Sequence, residues 1–284
     1  QKMTLKVIMF PGQGSQFQGM GEQLFKEFPD TVVLANRALG YDIADICLNN
    51  PDNKLNQTSY TQPALFLINY LTHQKHLQEN KKTPDYYLGH SLGEFNALNA
   101  AGVFDFETGL KIVQKRGELM FSIGNTGMAA IVGAEYKEVK EILLNHFSDI
   151  DVANVNTQAQ MVISGPIESL NKAADFFEEE GFVFIPLKVS GAFHSRYMTP
   201  VKAQFEVFIA GMKLNKCNVP VISNYSAAPY PDDVQGILKN MVNQLDNRVK
   251  WLQGIEYVLY QGECDFVEVG PGEVLSNIIK KIKI

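Results

Sequence analysis

An α/β fold with a mainly parallel sheet, interrupted by a smaller α+β unit, follows from three features of the sequence. Short apolar runs alternate with helical stretches at both ends of the chain. A strand, a Gly-x-Ser-x-Gly turn and a helix follow one another over residues 86–101. Between 126 and 193 the rhythm becomes β-α-β-β-α-β, the ferredoxin-like order. The 284 residues suit two domains. The expected division is a core of residues 1–125 and 194–284, with residues 126–193 as the insert.

Each element has a local reason. Leu5–Phe10 is apolar enough for a buried strand and ends in Pro11-Gly12-Gln13-Gly14-Ser15, where glycines permit close backbone approach. Gly19–Phe28 and Gln62–Leu77 read as helices, the second opened by Pro63. Tyr86-Tyr87-Leu88 is a short strand. Glu94–Ala101 is a helix stopping near Gly102, and Asp105 caps the next, running to about Phe121. The insert reads as strand Met128–Gly133, helix Tyr136–Asn145, strands Val152–Asn156 and Gln160–Ser164, helix Ile167–Glu180 and strand Phe182–Val189. Gly124–Gly127 and Ser190-Gly191 are expected to be its hinges. Then follow helix Pro200–Met212, strand Val219–Asn224, helix Val249–Gln261, strand Asp265–Val269 and helix Val274–Ile282.

Composition excludes several classes. Hydrophobic residues make up 45% and charged residues 20%, so the chain can bury a core without staples. A net charge of −6 weighs against nucleic-acid and anionic-membrane binding. Cys47, Cys217 and Cys264 are scattered, with no C-x-x-C for a zinc knuckle. The N-terminus lacks a signal-peptide apolar region; Met3 is read as the start, with Gln1 and Lys2 as additions. No apolar run is long enough to span a membrane. A cytoplasmic monomer is the expectation.

Gly89-His90-Ser91-Leu92-Gly93 carries the chemistry. In a strand–elbow–helix setting Ser91 is an exposed nucleophile, and the Leu92 N–H at the helix start can meet an oxyanion. A serine hydroxyl needs a base. His73 and His76 lie on a polar helix end, His146 suits a helix C-terminus, and His90 points away from a sharp elbow. His194, where the chain leaves the insert, is therefore the expected base. Arg116 has Ile112, Val113, Leu119 and Met120 as its helical neighbours, so it faces inward. A buried guanidinium needs an anionic or strongly accepting partner. Glu94 and a substrate carboxylate both qualify, and spacing does not decide between them. No phosphate-binding loop, dinucleotide fingerprint or H-E-x-x-H metal motif is present.

Several motifs in order resemble the malonyl-CoA:acyl-carrier-protein transacylases over Val7 to Ile282. They are Phe10-Pro11-Gly12-Gln13-Gly14-Ser15-Gln16, Thr61-Gln62-Pro63-Ala64, Gly89 to Glu94, Gln114 to Met120, Ala192-Phe193-His194-Ser195 and Glu268-Val269-Gly270-Pro271-Gly272. The resemblance implies a hydrolase-like α/β core carrying a ferredoxin-like insert. It implies Ser91 as nucleophile, His194 as base, and Gln13 and Leu92 N–H groups as oxyanion hole. Gln62 would line the pocket, Arg116 would clamp the malonyl carboxylate, and the Gln244 carbonyl would orient His194. Phe193 would leave little room for a branch at the α-carbon.

The substrate implied is malonyl-CoA and the partner a phosphopantetheinylated acyl carrier protein, with no bound cofactor and no metal. Pro220-Val221-Ile222-Ser223-Asn224 and Ala228-Pro229-Tyr230 resemble free-standing polyketide acyltransferases more than housekeeping fatty-acid enzymes. The alternatives are that housekeeping role, an acyl hydrolase of the same fold, and an inactive docking subunit.

Overall fold

The computed structural model describes residues 3–284; Gln1 and Lys2, the additions read ahead of Met3, lie outside them. In chain order, the first part comprises β1 (Leu5–Phe10), α1 (Glu22–Glu27), α2 (Pro29–Leu39), α3 (Ile43–Asn49), α4 (Thr58–Glu79), β2 (Tyr86–Gly89), α5 (Gly93–Ala100) and α6 (Phe106–Phe121). Next come β3 (Thr126–Val132), α7 (Tyr136–His146), β4 (Asp151–Thr157), β5 (Gln160–Pro166), α8 (Ile167–Glu179) and β6 (Val183–Pro186). The last part is α9 (Thr199–Ala210), β7 (Val221–Ile222), α10 (Val234–Asn243), α11 (Trp251–Gln261), β8 (Cys264–Glu268) and α12 (Val274–Lys281).

The strands form two four-stranded sheets. One runs β7-β2-β1-β8 with every neighbour parallel. Its central strand explains the apolar run at the start of the chain: Val7, Ile8 and Met9 are covered on both faces. The other sheet runs β4-β5-β3-β6, antiparallel throughout, the ferredoxin-like order. The two are joined where β4 meets the segment before α11: Val249 N–H donates to Ala153 O (2.7 Å) and Val155 N–H to Val249 O (3.0 Å).

Several boundaries differ from expectation. Helix α4 opens at Thr58, not at Pro63, which lies inside it. Proline removes the N–H that would bond Ser59 O, and Gly117 of α6 packs there, where a Cβ would stand 3.4 Å from that oxygen. The Gly19–Phe28 helix is trimmed to α1. Helices α2, α3 and α10 were not foreseen, although their start signals are ordinary: Pro29 in the first turn, and Asp42 and Asp233 accepting from Asp45 and Gly236 N–H. The Val219–Asn224 strand shrinks to two residues because Ser223 and Asn224 turn away over the elbow. Gly191 is no simple hinge: a Cβ there would stand 2.4 Å from the Phe193 ring, so the glycine makes room for that ring. No helix among the described residues is long and apolar enough to cross a membrane.

The elbow between β2 and α5 is the tightest place in the fold. A Cβ at Gly89 would meet Gly93 backbone at 2.0 Å, and one at Gly93 would meet Phe10 O at 2.1 Å. Gly89→Ala should therefore cost on the order of 3 kcal/mol or prevent folding. Gly124→Ala, with nothing within 4 Å of the added carbon, should be neutral or slightly stabilising. Denaturant midpoints of the two variants, compared with the parent, decide the point; equal midpoints would contradict the packing.

Candidate active site

Ser91 adopts φ 54, a left-handed conformation that is costly for a serine. The glycines around it make this turn possible, and two polar contacts hold it. Its N–H donates to Asn224 Oδ1 (2.9 Å), and its carbonyl accepts from Gln244 Nε2 (2.9 Å). The turn leaves Ser91 Oγ 2.6 Å from His194 Nε2.

His194 is also left-handed, φ 56, and 2% exposed. Its loop is tied to the insert: Ala192 N–H donates to Thr126 Oγ1 (2.9 Å), and Ser164 Oγ donates to Phe193 O (2.8 Å). The ring's Nδ1 stands 2.8 Å from Gln244 O. A carbonyl can only accept, so Nδ1 carries the proton and Nε2 offers its lone pair to Ser91. Burial, and then the Arg116 charge, push His194 down to about 3. The ring is thus a neutral base at physiological pH.

The other histidines fall elsewhere, and one expectation is corrected. His73 is not on a polar helix end; it is buried edge-on against Phe10 (5.4 Å) and Tyr87 (5.6 Å). The α4 end turns polar only after it, with Lys75 paired to Glu27. His90 points away from Ser91, with Nε2 2.8 Å from Asn156 Oδ1 and its ring against Trp251 (5.2 Å). His146 closes α7 against Phe176 (4.5 Å).

Arg116 is wholly buried and faces inward as its spacing requires. Its Nη1 donates to Gln62 Oε1 (2.8 Å), and its Nη2 to Gln244 Oε1 (2.9 Å) and, at 3.4 Å, to Ser91 Oγ. Phe95 lies beneath the guanidinium, 5.0 Å to the ring centre. Arg116 makes no ion pair among the described residues. Glu94, the internal partner weighed from sequence, accepts instead from Asn224 N–H and the Tyr230 hydroxyl. Burial lowers Arg116 to about 10, still charged at neutral pH. Burial raises Glu94 to about 7, against the pull of its two donors.

The serine, histidine and arginine meet in a cavity of about 70 Å³ also lined by Gln13, Gln62, Leu92, Met120 and Phe193. That is room for a short acyl group, since about 10–15 Å³ of such space holds one water. Gln13 and Leu92 stand on facing segments, the loop after β1 and the start of α5. A Cβ at Gly12 would lie 2.4 Å from His90 O and 3.6 Å from Leu92 N, so only glycine lets the two segments close. At the start of α5 the Gly93, Glu94 and Phe95 N–H groups donate to the carbonyls of His90, Ser91 and Leu92 (3.0, 3.1 and 3.0 Å), whereas Leu92 N–H has no acceptor among the described residues. Every residue singled out from sequence therefore borders this cavity or, like Gln244, bonds to residues that do. Sequence reasoning missed the Asn224–Glu94–Tyr230 cluster; Asn224 and Tyr230 drew notice only within motifs, and Glu94 as a candidate partner of Arg116.

A left-handed serine on a strand–helix elbow, a neutral histidine against its hydroxyl and a buried arginine beside both place this α/β protein in the acyltransferase class. The chain belongs to the acyl transferase domain family, whose model matches residues 7–282. It is 47% identical over 278 residues to the polyketide biosynthesis malonyl CoA-acyl carrier protein transacylase PksC of Bacillus subtilis, covering 97% of this chain and 96% of the relative. The malonyl CoA-acyl carrier protein transacylase of Burkholderia pseudomallei superposes with a TM-score of 0.94 at 40% identity, covering 98% of each chain. A malonyl-transacylase solved in complex with a type II polyketide synthase acyl-carrier protein gives 0.91 at 32% identity, covering 98% of this chain and 93% of that one.

The depressed histidine has a kinetic signature. An ordinary imidazole near 6.5 loses on the order of 100-fold of its basic form between about pH 6 and pH 4. His194, held near 3, stays neutral across that window. The rate at which a neutral sulfonyl fluoride modifies Ser91 should therefore stay nearly level from about pH 6 to about pH 4. A fall centred near pH 6.5 would show that the ring is not buried beside Arg116 in solution.

Proposed function

We propose that this chain moves malonyl groups from malonyl-CoA to the phosphopantetheine thiol of an acyl carrier protein, and that it does so in trans for polyketide synthesis. The observation that carries the reading is Arg116: a fully buried cation, without a carboxylate partner, 3.4 Å from Ser91 Oγ. A buried charge left unpaired costs several kcal/mol. The malonyl carboxylate supplies the missing anion, held by the guanidinium fork. The small cavity and Phe193 suit a short unbranched acyl group.

The steps follow from the geometry. Ser91 Oγ attacks the thioester carbon while His194 Nε2 takes its proton. The oxygen, now negative, faces the Gln13 and Leu92 N–H groups. The carbon–sulfur bond breaks, His194 returns the proton to the CoA thiolate, and malonate remains as an ester on Ser91. The carrier thiol then gives its proton to His194 and attacks the ester. Its carbon–oxygen bond breaks, and Ser91 Oγ recovers the proton. Both half-reactions use one nucleophile and one base.

The polyketide assignment rests on the 47% identity to a transacylase named for polyketide biosynthesis, together with the Pro220 to Asn224 motif. The carrier partner is supported by the similar transacylase solved with its carrier protein. The acyl hydrolase reading gains nothing from Arg116, because an unbranched acyl chain offers it no anion. An inactive docking subunit would not hold serine, histidine and arginine in bonding register. The reaction is assigned to the cytoplasm, as expected from the sequence.

Intact mass after brief mixing with malonyl-CoA should show one malonyl adduct on the parent and none on Ser91→Ala. Malonate released to water faster than malonyl reaches a holo carrier would place the chain among hydrolases instead. Arg116→Ala removes a charge-assisted bond, so malonyl transfer should fall on the order of 10- to 150-fold. Acetyl transfer should hold or rise. Equal losses for both substrates would make Arg116 structural. A discrete polyketide-synthase carrier should be loaded faster than a fatty-acid carrier; the reverse order would make the role housekeeping.

A further inference from the structure

Glu94 and Asn224 take no part in the steps above, yet both are buried against the elbow, at 0% and 3% exposure. Asn224 follows β7 at the point where the chain leaves the sheet. Its side-chain amide spans the turn. Oδ1 accepts from Ser91 N–H (2.9 Å), and Nδ2 donates to Gly89 O (2.8 Å). Its own backbone is fixed at both ends: N–H donates to Glu94 Oε2 (2.7 Å), and the carbonyl accepts from Lys250 N–H (2.9 Å). The other Glu94 oxygen accepts from the Tyr230 hydroxyl, and Tyr230 N–H donates to Val221 O (2.8 Å) in β7. Gln244 Nε2 adds a contact to Asn224 Oδ1 (3.3 Å).

We propose that Asn224, braced by Glu94 and Tyr230, is the positioning residue that holds Ser91 in its left-handed turn, and so sets the distance from Oγ to His194. The inference rests on Ser91 being the nucleophile. Without the amide, Ser91 N–H and Gly89 O lose their buried partners while the serine keeps a conformation it does not favour. The elbow relaxes toward an ordinary turn, and Oγ moves relative to the base. A misplacement of about 1 Å at a reacting atom can cost on the order of 100-fold in rate. Asn224 does not line the cavity and makes no hydrogen bond to Arg116; its link to the clamp is the 3.3 Å contact with Gln244 Nε2, whose Oε1 accepts from Arg116. Its loss therefore acts on every acyl group alike, in contrast to Arg116.

The test is rapid-quench mass spectrometry of the Ser91 ester, with malonyl-CoA and separately with acetyl-CoA, on the parent, Asn224→Ala and Tyr230→Phe. Asn224→Ala should lower the maximal acylation rate on the order of 10- to 100-fold for both substrates, with KM changed less than about twofold. Tyr230→Phe, remote from substrate, should lower both rates in the same direction by a smaller factor. Parent-like rates in folded Asn224→Ala, a loss confined to KM, or a loss seen only with malonyl-CoA would overturn the proposal. Should Asn224→Ala fail to fold, Tyr230→Phe decides: a parent-like rate with both substrates overturns it. A parent that forms no ester on Ser91 would instead refute the proposed function.

Discussion

The site depends on one positive charge being buried without being neutralised. Arg116 could have been paired inside the protein, since Glu94 lies in the same interior. Instead two neutral amides, Gln62 and Gln244, take its N–H groups. The amides take the two terminal nitrogens without forming an ion pair, Nε keeps no partner among the described residues, and the Glu94 charge supports the guanidinium only from a distance. Glu94 is meanwhile occupied by a hydroxyl and a backbone N–H, and burial favours its neutral form. In the proposed reaction, selectivity for an acyl group with its own carboxylate rests on this buried cation, which makes no ion pair among the described residues.

The same charge shapes the base. Beside Arg116 and out of water, His194 holds one proton, on Nδ1, and no second one at neutral pH, so Nε2 keeps its lone pair toward Ser91. No carboxylate stands behind its Nδ1; the acceptor is the Gln244 carbonyl, which fixes the tautomer without adding a charge. A carboxylate there would raise the histidine and lie close to the arginine, offsetting the very charge proposed to select substrate. Gln244 thus serves base and clamp together, one through its backbone and the other through its side chain. Sequence resemblance implied only the first of these roles.

Much of this was legible in the chain, for physical reasons that differ by residue. Ser91 could be read because an elbow demands glycines at fixed offsets, and Arg116 because an arginine flanked by Ile112, Val113, Leu119 and Met120 has only one face to occupy. His194 could be reached by elimination, though His73 was placed wrongly: its neighbours His76 and Lys75 are polar, and nothing local shows that Phe10 and Tyr87 cover it. The insert was legible because its six elements are contiguous in the chain and supply all four strands of the antiparallel sheet. The long-range pieces were not. Asn224 lies 133 positions from the serine it bonds, and Glu94 lies 136 from Tyr230. Their partnership depends on parallel strand order, which periodicity does not encode.

The two halves of the site are held by different parts of the molecule, and this gives the insert its purpose. Ser91, Leu92 and Arg116 sit on the parallel-sheet core, while the His194 loop is pinned to β3 and β5 through Thr126 and Ser164. Both Ser91 and His194 occupy left-handed conformations, each costing on the order of 1–3 kcal/mol. Neither would persist on a free loop. The core imposes one through glycines too close for side chains, and the insert helps impose the other through two buried hydroxyls. The 2.6 Å contact between them therefore joins the framework of the parallel sheet to that of the antiparallel one, and the two sheets also pair where β4 meets Val249. Gln244 bonds to both residues, its carbonyl to the His194 ring and its side chain to the Ser91 carbonyl, and so ties the two halves together.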